Sequence, residues 1–304
     1  MPAERLKVDV QGRALELSNL DKVLYPAAGF TKGEVIDYYT RIAPVLLPHL
    51  ADRALTRIRY PNGVEDKSFF EKNAPAATPA WVRTENLPAP GSTKGRETID
   101  YVVADDLPTL VWLANLAALE LHTPQWKIGA HPDLLVVDLD PGPPAGLREC
   151  SQVALLLRDR LALDGLDSYP KTSGKKGMQL CCPIAGTQDA DVVSDYAHRV
   201  ARELEETHPK LVVSKMAKNL RGGKVFIDWS QNNAAKTTVA PYSLRAQPVP
   251  AVSTPLTWDE VAAGAAGKRP ATKPYTAAEV LRRVDRHGDL LAAVLAGGPE
   301  VSAG

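Results

Sequence analysis

Leu134–Asp140 reads LLVVDLD and is followed at once by Pro141-Gly142. A short, unbroken apolar run that stops at a Pro-Gly turn is the pattern of a central strand buried on both faces. Within it Asp138 and Asp140 are two positions apart, so strand alternation sets both carboxylates on one face at the strand's end. Two carboxylates held that close repel unless a cation lies between them, and hard oxygen ligands suit Mg²⁺ or Mn²⁺. The competing reading is a strand-terminal Asp that caps a turn.

The charge around this strand is uneven. From Tyr101 to Cys150 there are seven acids against two bases, Lys127 and Arg148. From Ser168 to Gln188 the sign reverses, with Lys171, Lys175 and Lys176 and no acid. From Thr207 to Pro250 seven bases surround one acid, Asp228 in VFIDWS. A surface ion pair would account for that lone carboxylate. The sharper reading is that Asp138, Asp140 and Asp228, on neighbouring strands, hold two metal ions for attack at phosphorus. Over the whole chain of 304 residues, 36 Lys+Arg offset 36 Asp+Glu. That neutrality argues against a nucleic-acid partner only until the charges are mapped.

An apolar content of 44% with 24% charged residues is globular and excludes disorder. No apolar run reaches the roughly 18 residues of a membrane span, and MPAERLKVDV lacks a signal-peptide core, so a soluble, cytoplasmic protein is expected. Cys150, Cys181 and Cys182 cannot build a disulfide framework or a CxxC metal site and read as buried thiols. At this length two domains or one two-lobed domain are both open.

Outward from the strand, Thr31 and Glu34 have capping-box spacing before a helix with Val35, Ile36, Tyr39, Ile42, Leu46 and Leu47 on one face. Similar boxes at Thr257–Glu260 and Thr276–Glu279 open two later helices, the second expected to run through Leu291. Leu107–Leu121 reads as a buried helix. Further helices are expected at Val153–Leu163 and Val192–Leu204, and strands at Met178–Pro183, Leu211–Met216 and Lys224–Trp229. Ala262–Pro274 reads as a flexible connection, and Gly297–Gly304 should fray. The alternation predicts a mixed α/β (α+β) body, a sheet flanked by helices.

Other residues bear on chemistry. Lys171–Leu180, KTSGKKGMQL, is a basic Ser- and Gly-containing turn before a strand, whose backbone N–H groups, Ser173 and Lys176 could bind one anion; a solvated turn is the bland alternative. Arg221 in LRGGK precedes the Asp228 strand and suits bidentate contact with phosphate. Phe69 and Phe70 in KSFFEKNAP would stack on bases if both are accessible, or divide between core and surface in a strand. Lys22 and Lys32 lie near the start of the chain, Lys32 in the first turn of a helix whose N-terminus attracts phosphate; the alternative is two ordinary solvated lysines. His122 in LELHTPQW is either bonded to backbone or near a nucleotide.

With these residues assembled, the chain resembles the polymerase domain of bacterial ligase D, the non-homologous end-joining member of the archaeo-eukaryotic primase superfamily. The resemblance runs from about Leu17 to Leu291 through LSNLDKVLYP, YYTRIAP, TRIRYPNG, SFFEKNAP, LHTPQW, VVDLDPG, TSGKKG, LRGGKVFIDWSQNN and KTTVAPYSLR. It implies one primase-polymerase domain over 1–295, with an N-terminal lobe to about 100, a catalytic core to about 250, a helical extension and a flexible tail over 296–304. It implies template-directed extension of a 3′-OH at gaps or broken ends, with Mn²⁺ or Mg²⁺ as two ions and ribonucleotides preferred. By motif, Asp138, Asp140 and Asp228 become metal ligands. Ser173, Lys176, Arg221, Arg245 and, more weakly, Lys236 grip phosphates. His122 lies near the sugar and Phe69 and Phe70 near base or template, while Lys22 and Lys32 match the pocket for the 5′-phosphate across a gap.

One position departs from the family pattern: Gln179 stands where the family turn usually ends in His, and Gln cannot carry a proton's charge. No K-x-D-G nucleotidyl-lysine motif occurs, so a separate ligase is expected alongside an end-binding protein. The expected partners are NTPs or dNTPs and gapped or broken-end DNA bearing a 5′-phosphate. Two other readings compete: a non-catalytic module that recognises and bridges 5′-phosphorylated ends, and a D-x-D glycosyltransferase, which leaves Ser173 and Asp228 unexplained.

Overall fold

The computed structural model describes residues 5–89, 95–267 and 273–302. It has the expected mixed α/β architecture, with six α-helices among the described residues. Helix α1, Lys32–Leu50, begins at the anticipated capping box. Thr31 N–H donates to the Glu34 carboxylate at 2.7 Å, and Glu34 N–H donates to Thr31 Oγ1 at 3.2 Å. Two tyrosines on its buried face tie it to the strands that carry the site. Tyr38 Oη donates to Tyr242 O at 2.8 Å, and Tyr39 Oη donates to Leu119 O at 2.5 Å while accepting from Leu244 N–H.

The central five-stranded sheet runs in the order Tyr169–Thr172, Met178–Pro183, Leu134–Pro141, Val225–Asp228, Val212–Val213. Its pairs are antiparallel except the last, which is parallel. Leu135, Val137 and Leu139 enter the core with Val153, Leu157 and Leu161 of α3, Leu147–Leu163, and Val193 and Val200 of α4, Ala190–Thr207. Both helices lie against this sheet. By alternation, Asp138 and Asp140 belong to its opposite face.

A second sheet has the order Thr238–Val239, Ala118–Thr123, Thr56–Arg59, Phe69–Glu71. Here the structure corrects the sequence reading. Helix α2 covers only Leu107–Asn115, and Ala118–Thr123 is a strand. Ala117 turns the chain between them with φ of 56° in the left-handed region. A Leu/Ala-rich run has no period that separates a buried helix from a buried strand, and pairing on both edges decides for the strand.

The remaining elements differ less from expectation. Helices α3 and α4 begin earlier, and the two last strands of the central sheet are shorter; Trp229–Asn232 is a 3₁₀ turn. Helix α5 is Trp258–Ala265, so the start of the presumed connection is helical, while 268–272 lie outside the described residues. Helix α6, Ala277–His287, stops at Gly288 with φ of 65°, short of Leu291. The end, expected to fray, is docked as far as Ser302. Val301 is 2% exposed, and the Gln188 side chain brackets its N–H and C=O at 2.8 and 3.0 Å. The three cysteines are free and buried.

Candidate active site

The strand registers place Lys171 opposite Gln179, Gln179 opposite Asp138, and Asp138 opposite Asp228. Directly opposed residues point to the same face, so these four side chains form one row across four strands. Asp140 stands two residues beyond Asp138 on that face. A cavity of about 550 Å³ opens above the row. Asp138, Asp140, Ser173, Lys176, Gln179, His122 and Arg245, all anticipated from sequence, line it together with Lys175, Thr238 and Gln247, which were not.

The TSGKKG turn is shaped to cover the acidic strand. Ser173 Oγ accepts from Gly177 N–H at 3.1 Å and from Lys175 N–H at 3.3 Å. A Cβ on Gly177 would lie 2.4 Å from Leu139 O, so only glycine allows the turn to approach the strand this closely. Burial, then the charges of Asp140 and Asp228, lift the Asp138 carboxyl from the ordinary carboxylate range to about 7. Carboxylates that destabilise one another's charge in this way fit a divalent cation, which would remove the conflict. Among the described residues, no three His, Cys, Asp or Glu side chains already converge on one cation position.

Asp228 explains that incompleteness. It does not line the cavity, because its carboxylate is engaged by the 3₁₀ turn it caps. Ser230 Oγ donates to Asp228 Oδ1 at 2.5 Å and Gln231 Nε2 to Oδ2 at 2.8 Å. Lys236, a weaker candidate from sequence, donates to Ser230 Oγ. The turn is fastened by Asn232, a residue that sequence reasoning did not single out. Its side chain accepts from Val136 N–H at 2.9 Å and donates to Val136 O at 2.8 Å, two residues before Asp138. Arg221 also lies outside the cavity lining: its guanidinium is 3.7 Å from the centroid of the Phe226 ring, and Nη2 donates to Met216 O at 2.7 Å.

On the second sheet, His122 Nε2 is 3.1 Å from the fully buried Glu120 carboxylate. Burial opposes ionisation of Glu120, yet the His122 hydrogen bond and the charges of Arg245 and Lys175 outweigh it and hold the carboxyl at about 2. Burial, the largest influence, lowers the His122 pKa against the pull of Glu120 and so favours the neutral ring. Glu120 Oε1 also accepts from Ala246 N–H at 3.0 Å, which locks the carboxylate beside Arg245.

Lys22 and Lys32 form a separate place. Lys32 N–H donates to Lys22 O at 2.8 Å, and Lys22 Nζ donates to Asn62 Oδ1 at 2.8 Å. Lys32 is not the solvated lysine of the bland reading: it is 6% exposed and donates to Ser18 O at 2.6 Å. Burial, then Lys22 and Arg59, lower its pKa to about 8. Arg59, unnoticed in the sequence, pairs across the strands with Phe69. Both phenylalanines are exposed, Phe69 by 43% and Phe70 by 59%, although they lie in a strand; it is the sheet's edge strand.

A mostly antiparallel sheet with opposed carboxylates, roofed by a basic hydroxyl-bearing turn, is the frame of a nucleotidyltransferase of the DNA-directed polymerase or primase class. Residues 31–291 match the family described as "LigD, primase-polymerase domain". The chain is 44% identical over 289 residues to the multifunctional non-homologous end joining protein LigD of Mycolicibacterium smegmatis, covering 94% of this chain and 36% of that protein. It is 34% identical over 249 residues to the bifunctional LigD of Bacillus subtilis, covering 81% and 39% respectively. The solved polymerase domain of Mycobacterium tuberculosis ligase D in complex with DNA superposes with a TM-score of 0.86 at 42% identity, over 94% of this chain and 99% of that one. The chain belongs to the LigD primase-polymerase domain family. It spans little more than a third of the length of the curated relatives named here. That family is a nucleotidyltransferase family that requires a divalent metal. No helix among the described residues is long and apolar enough to cross a membrane.

Proposed function

We propose that this chain extends a primer 3′-OH opposite a template by two-metal nucleotidyl transfer, with ribonucleotides preferred, in gap filling and end joining of DNA. The observation that carries the reading is the row that sets Asp138 opposite Asp228, with Asp138 and Asp140 lining a cavity that Lys175, Lys176 and Arg245 make basic. Asp138 and Asp140 would hold the cations, Mn²⁺ or Mg²⁺, joined by Asp228 once its carboxylate exchanges Ser230 and Gln231 for metal. When bound, such ions lower the pKa of an attacking hydroxyl and neutralise charge on the leaving pyrophosphate.

The protein's own groups orient the substrates. Ser173, Lys176 and Arg245 would face the triphosphate, with Arg221 and Lys236 flanking Asp228 rather than reaching the cavity themselves. Because Nε2–H of neutral His122 donates to Glu120, Nδ1 is left as an acceptor for a sugar 2′-OH, which a deoxynucleotide lacks. Lys22 and Lys32 would take the 5′-phosphate on the far side of a gap, and exposed Phe69 and Phe70 would stack on template bases.

The test is primer extension on a short-gapped duplex with a 5′-phosphate, Mn²⁺ and either rNTPs or dNTPs. Extension by the wild-type protein, lost in Asp138→Ala and Asp228→Ala, is expected. Binding without extension by the wild type would favour an end-bridging module instead. A partner ligase and an end-binding protein complete the proposed repair reaction.

A further inference from the structure

Lys171 ends the row that crosses the central sheet, and the reading above gives it no task. Its side chain is 2% exposed. An ammonium has three N–H donors and no acceptor. All three are used: Nζ donates to Gln179 Oε1 at 2.5 Å, to Ser253 Oγ at 2.7 Å and to Val239 O at 3.0 Å. Each acceptor is uncharged, so a buried cation sits behind the cavity wall with its charge unneutralised by its own hydrogen bonds. Two of the three acceptor residues, Gln179 and Val239, line the cavity that Lys171 does not itself reach.

The chemistry fixes the orientation of the Gln179 amide. Because the ammonium can only donate, the amide must turn its oxygen toward Lys171, and its NH₂ group must then point away. The other side of Gln179 is Asp138, its directly opposed partner on the next strand, with which it lines the cavity. Without the lysine, either end of the amide could face the cavity. Burial lowers the Lys171 pKa to about 8, which leaves the group protonated at neutral pH.

We propose that Lys171 is a positioning residue that locks the Gln179 amide with its donors toward Asp138 and the nucleotide, and adds a fixed positive charge behind the triphosphate subsite. Gln179 supplies the hydrogen bonds and Lys171 the charge, so two residues together do what one protonated imidazole would do at position 179. This rests on the nucleotide-binding reading of the cavity.

Direct binding of Mn²⁺–nucleoside triphosphate, measured by calorimetry, tests the proposal separately from polymerisation. Lys171→Met keeps the length of the side chain and removes the charge and donors. It is expected to weaken triphosphate binding about tenfold, the worth of one charge-assisted hydrogen bond. Binding to a 5′-phosphorylated gapped duplex should stay unchanged. In Lys171→Met/Gln179→His the imidazole brings its own donor and charge, and affinity for triphosphate should recover. Gln179→Met, with the lysine retained, should reproduce the loss. Wild-type affinity in Lys171→Met, or a double variant as weak as the single, overturns the proposal. So does unchanged binding in Gln179→Met, which decides the matter even if the buried lysine substitution prevents folding. A wild-type protein that binds triphosphate yet extends no primer counts against the polymerase reading and leaves these expectations in force.

Discussion

Asp138 and Asp228 are opposed Cα partners in the antiparallel pairing of the Leu134–Pro141 and Val225–Asp228 strands. The sheet therefore holds two carboxylates on one face whatever their charge state, and their mutual repulsion is part of the fold. Asp138 answers by keeping a proton up to about pH 7. Between the ordinary carboxylate range and pH 7 the folded protein holds a proton that the unfolded chain has released, so this group's contribution to stability falls as pH rises across that window. A divalent cation displaces the proton. Mn²⁺ is thus expected to raise the Tm more at pH 8 than at pH 6. Its affinity, measured by calorimetry, should fall about tenfold for each pH unit below 7. In Asp138→Asn that pH dependence should vanish; equal Tm gains at both pH values in the wild type would remove Asp138 from the metal site.

The Glu120–His122 pair makes a prediction about sugar choice. Glu120→Gln can donate to the imidazole instead of accepting from it, which allows the ring to adopt the other tautomer and takes away the acceptor proposed for a 2′-OH. Glu120→Gln and His122→Phe are both expected to narrow the ratio of kcat/KM for rNTP over dNTP, by about fivefold to tenfold for one lost hydrogen bond. A ratio unchanged in both variants would place sugar discrimination elsewhere.

Buried Lys32 should distinguish phosphorylated from unphosphorylated 5′ ends. Its pKa of about 8 lies well below that of a solvated lysine, so as pH rises from 7 to 9 it loses its charge and the preference for a 5′-phosphate should shrink. Lys32→Met is expected to abolish the preference at all pH values, read as the difference in Kd between gapped duplexes with and without the phosphate. Binding should also weaken with salt through counterion release.

Asn232 offers a test of how the acidic strand is held. Asn232→Ala would strip a partner from both the N–H and the C=O of Val136, each costing ~1–3 kcal/mol when left buried and unsatisfied. Urea unfolding should show the loss as a lower midpoint. Extension activity should fall further than stability alone explains, because the 3₁₀ turn that presents Asp228 is no longer fastened. A variant with wild-type stability would mean that water replaces the amide.

What could be read from the sequence was local. LLVVDLD announced itself because an unbroken apolar run ends in acids and a Pro-Gly turn, and Thr31 with Glu34 because their reciprocal bonds span one helical turn. Ala118–Thr123 was misread because Leu and Ala pack equally well in either element, and its pairing partners at Thr56–Arg59 and Thr238–Val239 are far away in the chain. Distance also hid Asn232, whose partner is 96 residues away, and Lys171, bonded to residues 68 and 82 positions off. In sequence Lys171 is one more basic residue in a lysine-rich turn. Only the register of four strands shows that it belongs to the acidic row rather than to solvent.

The four-stranded sheet that carries His122 at the cavity also carries, on the adjacent strand, Arg59, whose charge acts on Lys32. Strands in such a sheet lie about 4.8 Å apart and cannot slide without breaking their hydrogen bonds. Helix α1, which begins with Lys32, is fastened to the His122 strand through the Tyr39 hydrogen bond to Leu119 O, so the proposed downstream grip and one wall of the proposed nucleotide cavity are referred to one stiff frame, like the arms of a calliper. Under the proposed reading, the number of missing nucleotides is gauged by β-sheet geometry: a gap that fits seats both ends at once, and one that does not must give up one grip to keep the other.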